Sequence, residues 1–171
     1  MSKLKKASNS LKVSYLKSIL NYDPDTGLFS WIGSRGNMAS GSIAGCHNPN
    51  GYISIMIDSI AYGAHRLAWL YVYGEMPSMG LDHKNHIRND NRIINLRLAT
   101  DTQNLMNQTV RHNTITGAKG VSLLTGKYVA RIKFNGKNLY LGRFFTKAEA
   151  IAVYNYHSKK LYGEYAELSH E

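Results

Sequence analysis

Four polar residues in the middle of the chain carry the side chains that phosphodiester hydrolysis requires: Asp82, His83, Asn95 and Asn104. The reaction needs a general base to activate water and a Lewis acid to stabilise the leaving oxygen. One carboxylate and one amide oxygen, completed by waters, form an ordinary Mg²⁺ site, so Asp82 and Asn104 are the predicted metal ligands. A neutral imidazole is a suitable base near neutral pH, which predicts that role for His83. Asn95 is predicted to hydrogen-bond backbone and to brace the loop that presents His83.

The spacing around these residues predicts a strand, a loop, a second strand and a helix. Leu81–His83 is predicted to end the first strand, residues 84–95 form a polar loop, and Leu96–Thr100 is the second strand. This strand ends on a threonine followed three residues later by a glutamine, which is a capping box, so a helix should begin near Asp101. Asn104 then lies in the first turn of that helix.

Apolar periodicity and turn-forming residues predict the elements on either side of this segment. Upstream, the predicted elements are a helix over Leu11–Leu20, a turn over Asn21–Gly27, a strand over Leu28–Ile32, strands at Ile43–Gly45, Tyr52–Ile57 and Ala61–Gly63 around an Asn-Pro-Asn-Gly turn, and a helix over His65–Tyr73. Downstream, Lys119–Phe145 is predicted to hold three short strands, and Thr146–Gly163 a helix with a Thr-x-x-Glu capping box.

The alternation along the downstream strands predicts which side chains face the helix. Val129, Ile132 and Leu141 are predicted to face it, while Arg131, Lys133 and Tyr140 face outward, with a slip in the alternation around Ala130. An outward face that is basic and aromatic is suited to lying in the major groove of DNA.

Composition favours a polyanionic partner. Lys and Arg number 21 against 11 Asp and Glu, which gives a net charge of +10 that is shared by both parts of the chain. Phosphates attract such a surplus, although charge alone does not distinguish DNA from RNA or a membrane surface. No apolar run approaches the roughly 18 residues of a membrane span, and no secretory signal pattern follows the basic start. The lone Cys46 can form neither an intramolecular disulfide nor a Cys-rich zinc site, which fits a reducing cytoplasm.

The central motif resembles the HNH endonucleases of phages and mobile introns. Their pattern is roughly D-H-x(n)-N-R-I-x-N-L-R-x-A-T-x-x-x-N, and here it is matched by Asp82-His83, Asn91–Arg97 and Asn104. Tyr22–Phe29 and Ala64–Trp69 also resemble the corresponding upstream segments, so the resemblance covers nearly all of residues 11–108.

This resemblance implies a ββα-metal (HNH, His-Me finger) nuclease module. It implies metal binding at Asp82 and Asn104, a general base at His83 and orientation of that base by Asn95. Three arginines beside the motif are predicted DNA contacts, with a structural role as the alternative: Arg66, Arg92 and Arg97.

Two further histidines near the motif are open to more than one interpretation. His86 occupies a position where related sequences often have the glycine of Asp-His-Ile-Asn-Gly, and it is a bystander, a phosphate contact or a second ligand. His65 is predicted to anchor a helix start or to contact a phosphate rather than to catalyse.

Residues 118–163 resemble the AP2 domain, a three-stranded antiparallel sheet packed on one helix. AP2 domains bind DNA through the sheet, and this resemblance implies contacts from Lys119, Arg131, Lys133, Asn138, Tyr140 and Arg143. The first strand offers few side chains suited to sequence-specific contacts with DNA bases, since it carries Ser122, Leu123 and Leu124. The alternative is a solvated basic sheet in a fold used for another purpose.

The sequence therefore predicts a two-module α+β protein. The predicted parts are a flexible N-terminus at 1–10, an HNH endonuclease domain at 11–108, a linker at 109–117 and an AP2-like DNA-binding domain at 118–168. The predicted activity is homing-type hydrolysis of duplex DNA, by nicking or double-strand cutting, with Mg²⁺, Mn²⁺ or another divalent cation. A cytoplasmic monomer, with a dimer on DNA left open, is expected in the host of a phage or mobile element. The rival functions are a non-catalytic DNA-binding protein with a degenerate HNH scaffold and an RNA-directed binder.

Overall fold

The computed structural model describes residues 11–34, 36–107 and 115–169. Contacts between Cα atoms divide the chain into two compact units, with the boundary between Thr100 and Asp101. The N-terminus at 1–10 and most of the predicted linker, residues 109–114, lie outside the described residues. In the described ranges, no helix is long and apolar enough to cross a membrane.

The described residues of the first unit, 11–34 and 36–100, form two helices and three small antiparallel sheets. In chain order its elements are α1 (Val13–Ile19), β1 (Leu20–Tyr22), β2 (Phe29–Trp31), β3 (Cys46–His47), β4 (Ile53–Ile57), β5 (Ile60–Gly63), α2 (Ala64–Tyr73), β6 (Gly80–His83), a 3₁₀ turn (Ile93–Asn95) and β7 (Leu96–Ala99). β1 pairs with β2, β3 to β5 form a meander, and β6 pairs with β7. The predicted strand–loop–strand order around Asp82 and the helix ending before Gly74 are confirmed.

The N-terminal helix is shorter than predicted. The helix was predicted to end at Leu20 and a turn to begin at Asn21. Instead, Leu20–Tyr22 forms β1 and pairs with Phe29–Trp31. Pairing buries Leu20 and Tyr22 on the same side of the strand, with Asn21 exposed between them. The gain from burying two large side chains against a partner strand therefore overrides the helical spacing of the local sequence.

The strand predicted at Ile43–Gly45 is also wrong. The paired residues are Cys46 and His47, which face Ser54 and Ile53 across the predicted turn. Ile43 makes only an isolated bridge, and Gly45 has φ +104°, which interrupts an extended strand at that point.

A single apolar cluster supports the β6–β7 hairpin in the first unit. It draws on α1, the small sheets and α2, and its fully buried members include Leu16, Phe29, Ile55 and Leu67, with Leu96 from β7. The strand that follows the loop at residues 84–95 is thus anchored in the core by Leu96.

The second unit is a three-stranded antiparallel sheet with two helices. Its elements are α3 (Asp101–Asn107), β8 (Val121–Leu124), β9 (Lys127–Phe134), β10 (Lys137–Phe144), α4 (Lys147–Tyr162) and a 3₁₀ turn (Gly163–Tyr165). β9 is central in the sheet, and α4 packs across it. The Thr146–Glu149 capping box of α4 is confirmed. Both hairpin turns have two successive residues with positive φ, as tight hairpins with right-handed twist require.

Val129 is buried as predicted, with 1% of its surface exposed. By register it pairs with Ser122 and Arg143, so alternation along β9 places it on the side of Arg131 rather than on the side of α4. Ala130 and Ile132 belong to the apolar cluster that includes α4. The irregularity is a bulge in β10, where the pairing shifts between Tyr140 and Gly142.

Helix α3 packs within the second unit. Met106 belongs to the same apolar cluster as the sheet and α4, and its carbonyl accepts a hydrogen bond from the Glu167 amide at 3.3 Å. The domain limits at residues 108 and 118 remain predictions from the sequence.

Candidate active site

The β6–β7 hairpin presents the two central residues of the predicted site. Asp82 lies opposite Arg97, and His83 lies opposite Leu96. Both Asp82 and His83 are buried, with 8% and 5% of their surface exposed. Burial of neighbouring ionisable groups is costly unless each has a polar partner, and both residues have one.

Asp82 forms an ion pair with Arg97 across the hairpin. Its Oδ2 accepts hydrogen bonds from Nε at 2.9 Å and from Nη2 at 2.8 Å. The two side chains are each only 10% exposed. Arg97 was predicted to contact DNA, but in this structure its guanidinium orients the carboxylate that is the predicted metal ligand.

His83 is oriented by Asn91. Its Nε2 lies 3.3 Å from Asn91 Oδ1, while the Asn91 amide nitrogen donates to the carbonyl of Asn89 at 3.3 Å. Because Oδ1 can only accept, His83 carries its proton on Nε2, and Nδ1 holds the lone pair. Burial lowers the pKa of His83 below its ordinary value. The hydrogen bond to Asn91 raises this pKa, but by less than burial lowers it. The imidazole is therefore neutral at neutral pH.

Asn95 joins the two ends of the loop between β6 and β7. Its Oδ1 accepts from the Asn85 amide at 3.1 Å, and its Nδ2 donates to the Asp90 carbonyl at 2.9 Å. The Asn95 carbonyl also accepts from the Lys84 amide at 2.9 Å. These are the backbone contacts predicted for Asn95, and the side chain within hydrogen-bond distance of His83 Nε2 is that of Asn91.

The turn between β1 and β2 packs against the backbone of Asn91. The Tyr22 hydroxyl donates to the Asn91 carbonyl at 2.8 Å. Gly27, at φ +73°, packs so closely that a Cβ there would lie 2.4 Å from the Arg92 nitrogen and 2.7 Å from the Asn91 carbonyl carbon. The Asp23 carboxylate closes this turn by accepting from the Asp25 amide and the Thr26 hydroxyl. The motif over Tyr22–Phe29 thus positions the residue that holds His83.

Two aromatic rings pack beside His83. The centroid of the His65 ring lies 5.5 Å from that of His83, and the Tyr52 ring lies 5.8 Å from His83 and 5.3 Å from His65. Arg88 from the loop stacks over Tyr52 at 5.3 Å and donates to the Asn50 carbonyl. The predicted base is therefore flanked by the rings of His65 and Tyr52.

Asp82 and Asn104, the predicted ligands, carry side-chain oxygens of the type that a hard divalent cation binds. Mg²⁺ takes oxygen ligands and usually one or two carboxylates, with waters and phosphate oxygens for the rest. Asp82 offers a carboxylate, and Asn104 lies on α3 in the second unit. Within the described ranges, no three His, Cys, Asp or Glu residues cluster as metal ligands. A cation here would therefore depend on water and on the substrate for most of its coordination.

His86 lies in the same loop with a left-handed backbone. It has φ +63° and is exposed, and its amide donates to the His83 carbonyl at 3.1 Å. This conformation favours glycine and is tolerated by histidine, which is consistent with the glycine of the Asp-His-Ile-Asn-Gly pattern that the segment resembles. Its role as bystander, phosphate contact or ligand stays open.

Several predicted DNA contacts have partners inside the protein. Arg92 pairs with Asp90 through Nε at 2.8 Å, and the interaction lowers the pKa of Asp90 to about 2. The Lys119 ammonium donates to the last carbonyls of α3, at Leu105 and Met106. Arg143 donates to the Leu124 carbonyl and the Thr125 hydroxyl. Arg66 lies half-buried in the first turn of α2.

Four of the predicted contacts form one exposed patch. Arg131 pairs with Tyr140 and Lys133 pairs with Asn138 in the β9–β10 register, so the four side chains share one face, opposite α4. Each is exposed, and Tyr140 is 62% exposed. We call Arg131, Lys133, Asn138 and Tyr140 the sheet patch.

Sequence reasoning missed three contributors to this site: Asn91, Gly27 and Tyr52. Asn91 was part of the quoted motif but was given no role, and its position in that run was the available signal. Gly27 closed a predicted turn, with no sign of what it packed against. Nothing in the spacing of Tyr52 indicated a contact with His83.

Comparisons with known proteins single out the same segment. Residues 62–106 match the model of a family described as HNH endonuclease. An uncharacterized HNH endonuclease of Acanthamoeba polyphaga mimivirus is 33% identical over 105 residues. That match covers 60% of this chain and 54% of the relative, so the chain spans about half the length of the relative.

Proposed function

We propose that the protein is a metal-dependent endonuclease of duplex DNA, on the premise that residues 62–106 match the model of the family described as HNH endonuclease. One observation carries the proposal. A buried neutral imidazole, His83, follows a buried carboxylate, Asp82, and its Nε2 is held by Asn91. This arrangement presents Nδ1 as the base.

The chain's own residues supply the base and its orientation. His83 takes a proton from water at Nδ1, while Asn91 accepts from Nε2–H and so stabilises the imidazolium that forms. Burial keeps the imidazole neutral before the reaction. Asp82 would hold Mg²⁺, Mn²⁺ or another divalent cation, which when bound supplies Lewis-acid stabilisation of the leaving oxygen. The role of Asn104 as a second ligand rests on the sequence motif.

Binding of the duplex is assigned to the second unit. The sheet patch combines two cations, an amide and an aromatic ring on one exposed face, a composition that suits phosphate and base contacts. The interpretation of this unit as an AP2-like domain is supported by its three-stranded sheet, on which the helix α4 packs. A homing-type role in a phage or mobile element, with 5′-phosphate and 3′-hydroxyl products, follows from the family resemblance.

A supercoiled-plasmid assay tests the activity. Wild-type protein with Mg²⁺ is expected to give open-circle or linear DNA, and EDTA is expected to abolish the product. His83→Ala should lower the cleavage rate by at least about 100-fold, because general-base catalysis is worth about 10² to 10⁴. A mobility shift measured without metal should remain unchanged. His83→Ala cutting at the wild-type rate would refute the assignment.

The Asp82–Arg97 ion pair favours one second candidate. A carboxylate neutralised by a buried guanidinium also fits a DNA-binding protein whose HNH segment is a scaffold only. In that case the mobility shift persists, and no product forms with any divalent cation on a library of candidate sites. Competition between duplex DNA and RNA separates both candidates from an RNA-directed binder.

A further inference from the structure

His65 is a second imidazole beside the base that the proposed hydrolysis does not use. It occupies the second position of α2, and its ring centroid lies 5.5 Å from that of His83. Gly63 makes room for it, since a Cβ at that position would lie 2.7 Å from Cε1 of the His65 ring. The ring is therefore fixed by the Gly63 backbone on one side and by its aromatic neighbours on the other.

The two ring nitrogens of His65 differ in their surroundings. Nδ1 is buried and has no hydrogen-bond partner among the residues that the structure describes. A buried N–H without an acceptor is rarer and more costly than a buried lone pair. The proton of the neutral ring therefore belongs on Nε2. Because the residue as a whole is partly exposed while Nδ1 is sealed, Nε2–H is the polar group left for a ligand.

His65 also stays neutral over the working range of pH. Burial lowers the pKa of His65 to about 3, and positive charge on His83, when that ring is protonated, and on Arg66 lowers it further. The first turn of α2 contains no acidic side chain, and its N-cap glycine leaves the first amides without a side-chain cap. The positive end of a helix favours an anion and disfavours an imidazolium.

We propose that His65 is a substrate-binding residue of the active site, whose Nε2–H donates a hydrogen bond to a non-bridging oxygen of the DNA phosphate beside His83. The proposal rests on the proposed nuclease function. A neutral imidazole held at a helix N-terminus can stabilise an oxygen on which charge develops, without the cost of burying a second cation next to the base. The ligand is identified by this chemistry as a phosphodiester, since a neutral N–H at the positive end of a helix suits an anionic phosphate oxygen.

Three substitutions of His65 separate its roles. His65→Phe keeps the ring packing and removes both nitrogens. His65→Gln can place an amide N–H near the position of Nε2, whereas His65→Asn places one near Nδ1. Single-turnover cleavage with saturating enzyme and Mg²⁺ gives the rate, a mobility shift gives DNA affinity, and thermal unfolding shows that each variant folds.

His65→Phe is expected to lower the cleavage rate about 10- to 100-fold, the range for one hydrogen bond to a charged group. DNA affinity should change less than about threefold, because the contact strengthens as charge develops. His65→Gln should recover most of the rate and His65→Asn should not. Cleavage by His65→Phe at the wild-type rate, or equal rates for Gln and Asn, would overturn the proposal.

A spectroscopic measurement decides the tautomer independently of cleavage. Long-range ¹H–¹⁵N spectra of the full chain labelled at histidine should show His65 as the neutral Nε2–H form near neutral pH. A proton on Nδ1, or an imidazolium, would contradict the proposal. Wild-type protein that cleaves while His65→Phe cleaves equally well refutes this inference alone. Wild-type protein that binds DNA but never cleaves refutes the proposed function as well.

Discussion

Single side chains set the electrostatics of this site, and the Asp82–Arg97 pair is the main example. Two nitrogens of one guanidinium share one carboxylate oxygen in a place where both side chains are 10% exposed. Removing one partner of such a pair leaves an uncompensated charge in a poorly solvated position. Arg97 therefore positions Asp82 and also opposes the charge that would attract a cation.

Arg97→Met is expected to lower the free energy of unfolding by about 3 kcal/mol, because the buried carboxylate of Asp82 loses the guanidinium of its ion pair. Urea denaturation in metal-free buffer measures this. Arg92→Met is the comparison variant, because the Arg92 side chain is 45% exposed and Asp90, itself 11% exposed, keeps the hydrogen bond from Asn85 Nδ2, so a smaller loss is expected. Equal losses in the two variants would show that the Asp82–Arg97 pair is not buried in solution.

The turn between β1 and β2 helps to position the proposed base, His83, through the loop that follows β6. The turn between β1 and β2 contacts the loop at Asn91 and Arg92, and Asn91 contacts His83. None of these residues needs to touch substrate for its loss to misplace the imidazole. A small displacement of a catalytic group costs rate because the reaction needs a near-ideal geometry.

Gly27→Ala is expected to destabilise the protein by about 3 kcal/mol and to slow cleavage. About 1–2 kcal/mol comes from a left-handed backbone with a Cβ, and about 1–3 kcal/mol from the contact with the loop. Gly33→Ala is the matched control, with φ +81° but nothing within 4 Å of the added Cβ. Urea denaturation and plasmid cleavage are the measurements. If both variants behaved alike, the turn would not support the loop.

At the scale of the whole molecule, the proposed base His83 lies in the first unit and the proposed DNA-binding sheet patch lies in the second. The net charge of +10 attracts a duplex to any face, so affinity alone does not identify the surface that binds. The dependence of affinity on salt does, because each phosphate contact contributes separately to counterion release.

Arg131→Ala with Lys133→Ala is expected to reduce the slope of log K against log salt by about 1 for each residue removed. DNA binding measured by fluorescence anisotropy across a range of salt concentrations provides this slope. Lys160→Ala is the control, because Lys160 is exposed on α4, which covers the opposite face of the sheet. A slope unaffected by the double substitution would remove the sheet patch from the interface.

Local sequence was sufficient for the features that depend on spacing along the chain. The strand ending at His83, the helix beginning at Asp101 and the Thr146–Glu149 cap all follow from periodicity and from side chains that bond their own backbone. The run of motif residues likewise pointed to the segment that matches the HNH endonuclease family.

Tertiary structure alone decided how those residues are held. Tyr22 reaches Asn91 across 69 positions of sequence, and Arg97 turns to Asp82 because the hairpin register places them opposite each other. The packing of His65 against His83 likewise joins α2 to β6. Such contacts depend on which distant segments pack together, and burial of the whole core determines that packing. The spacing of a motif along the chain carries no information about it.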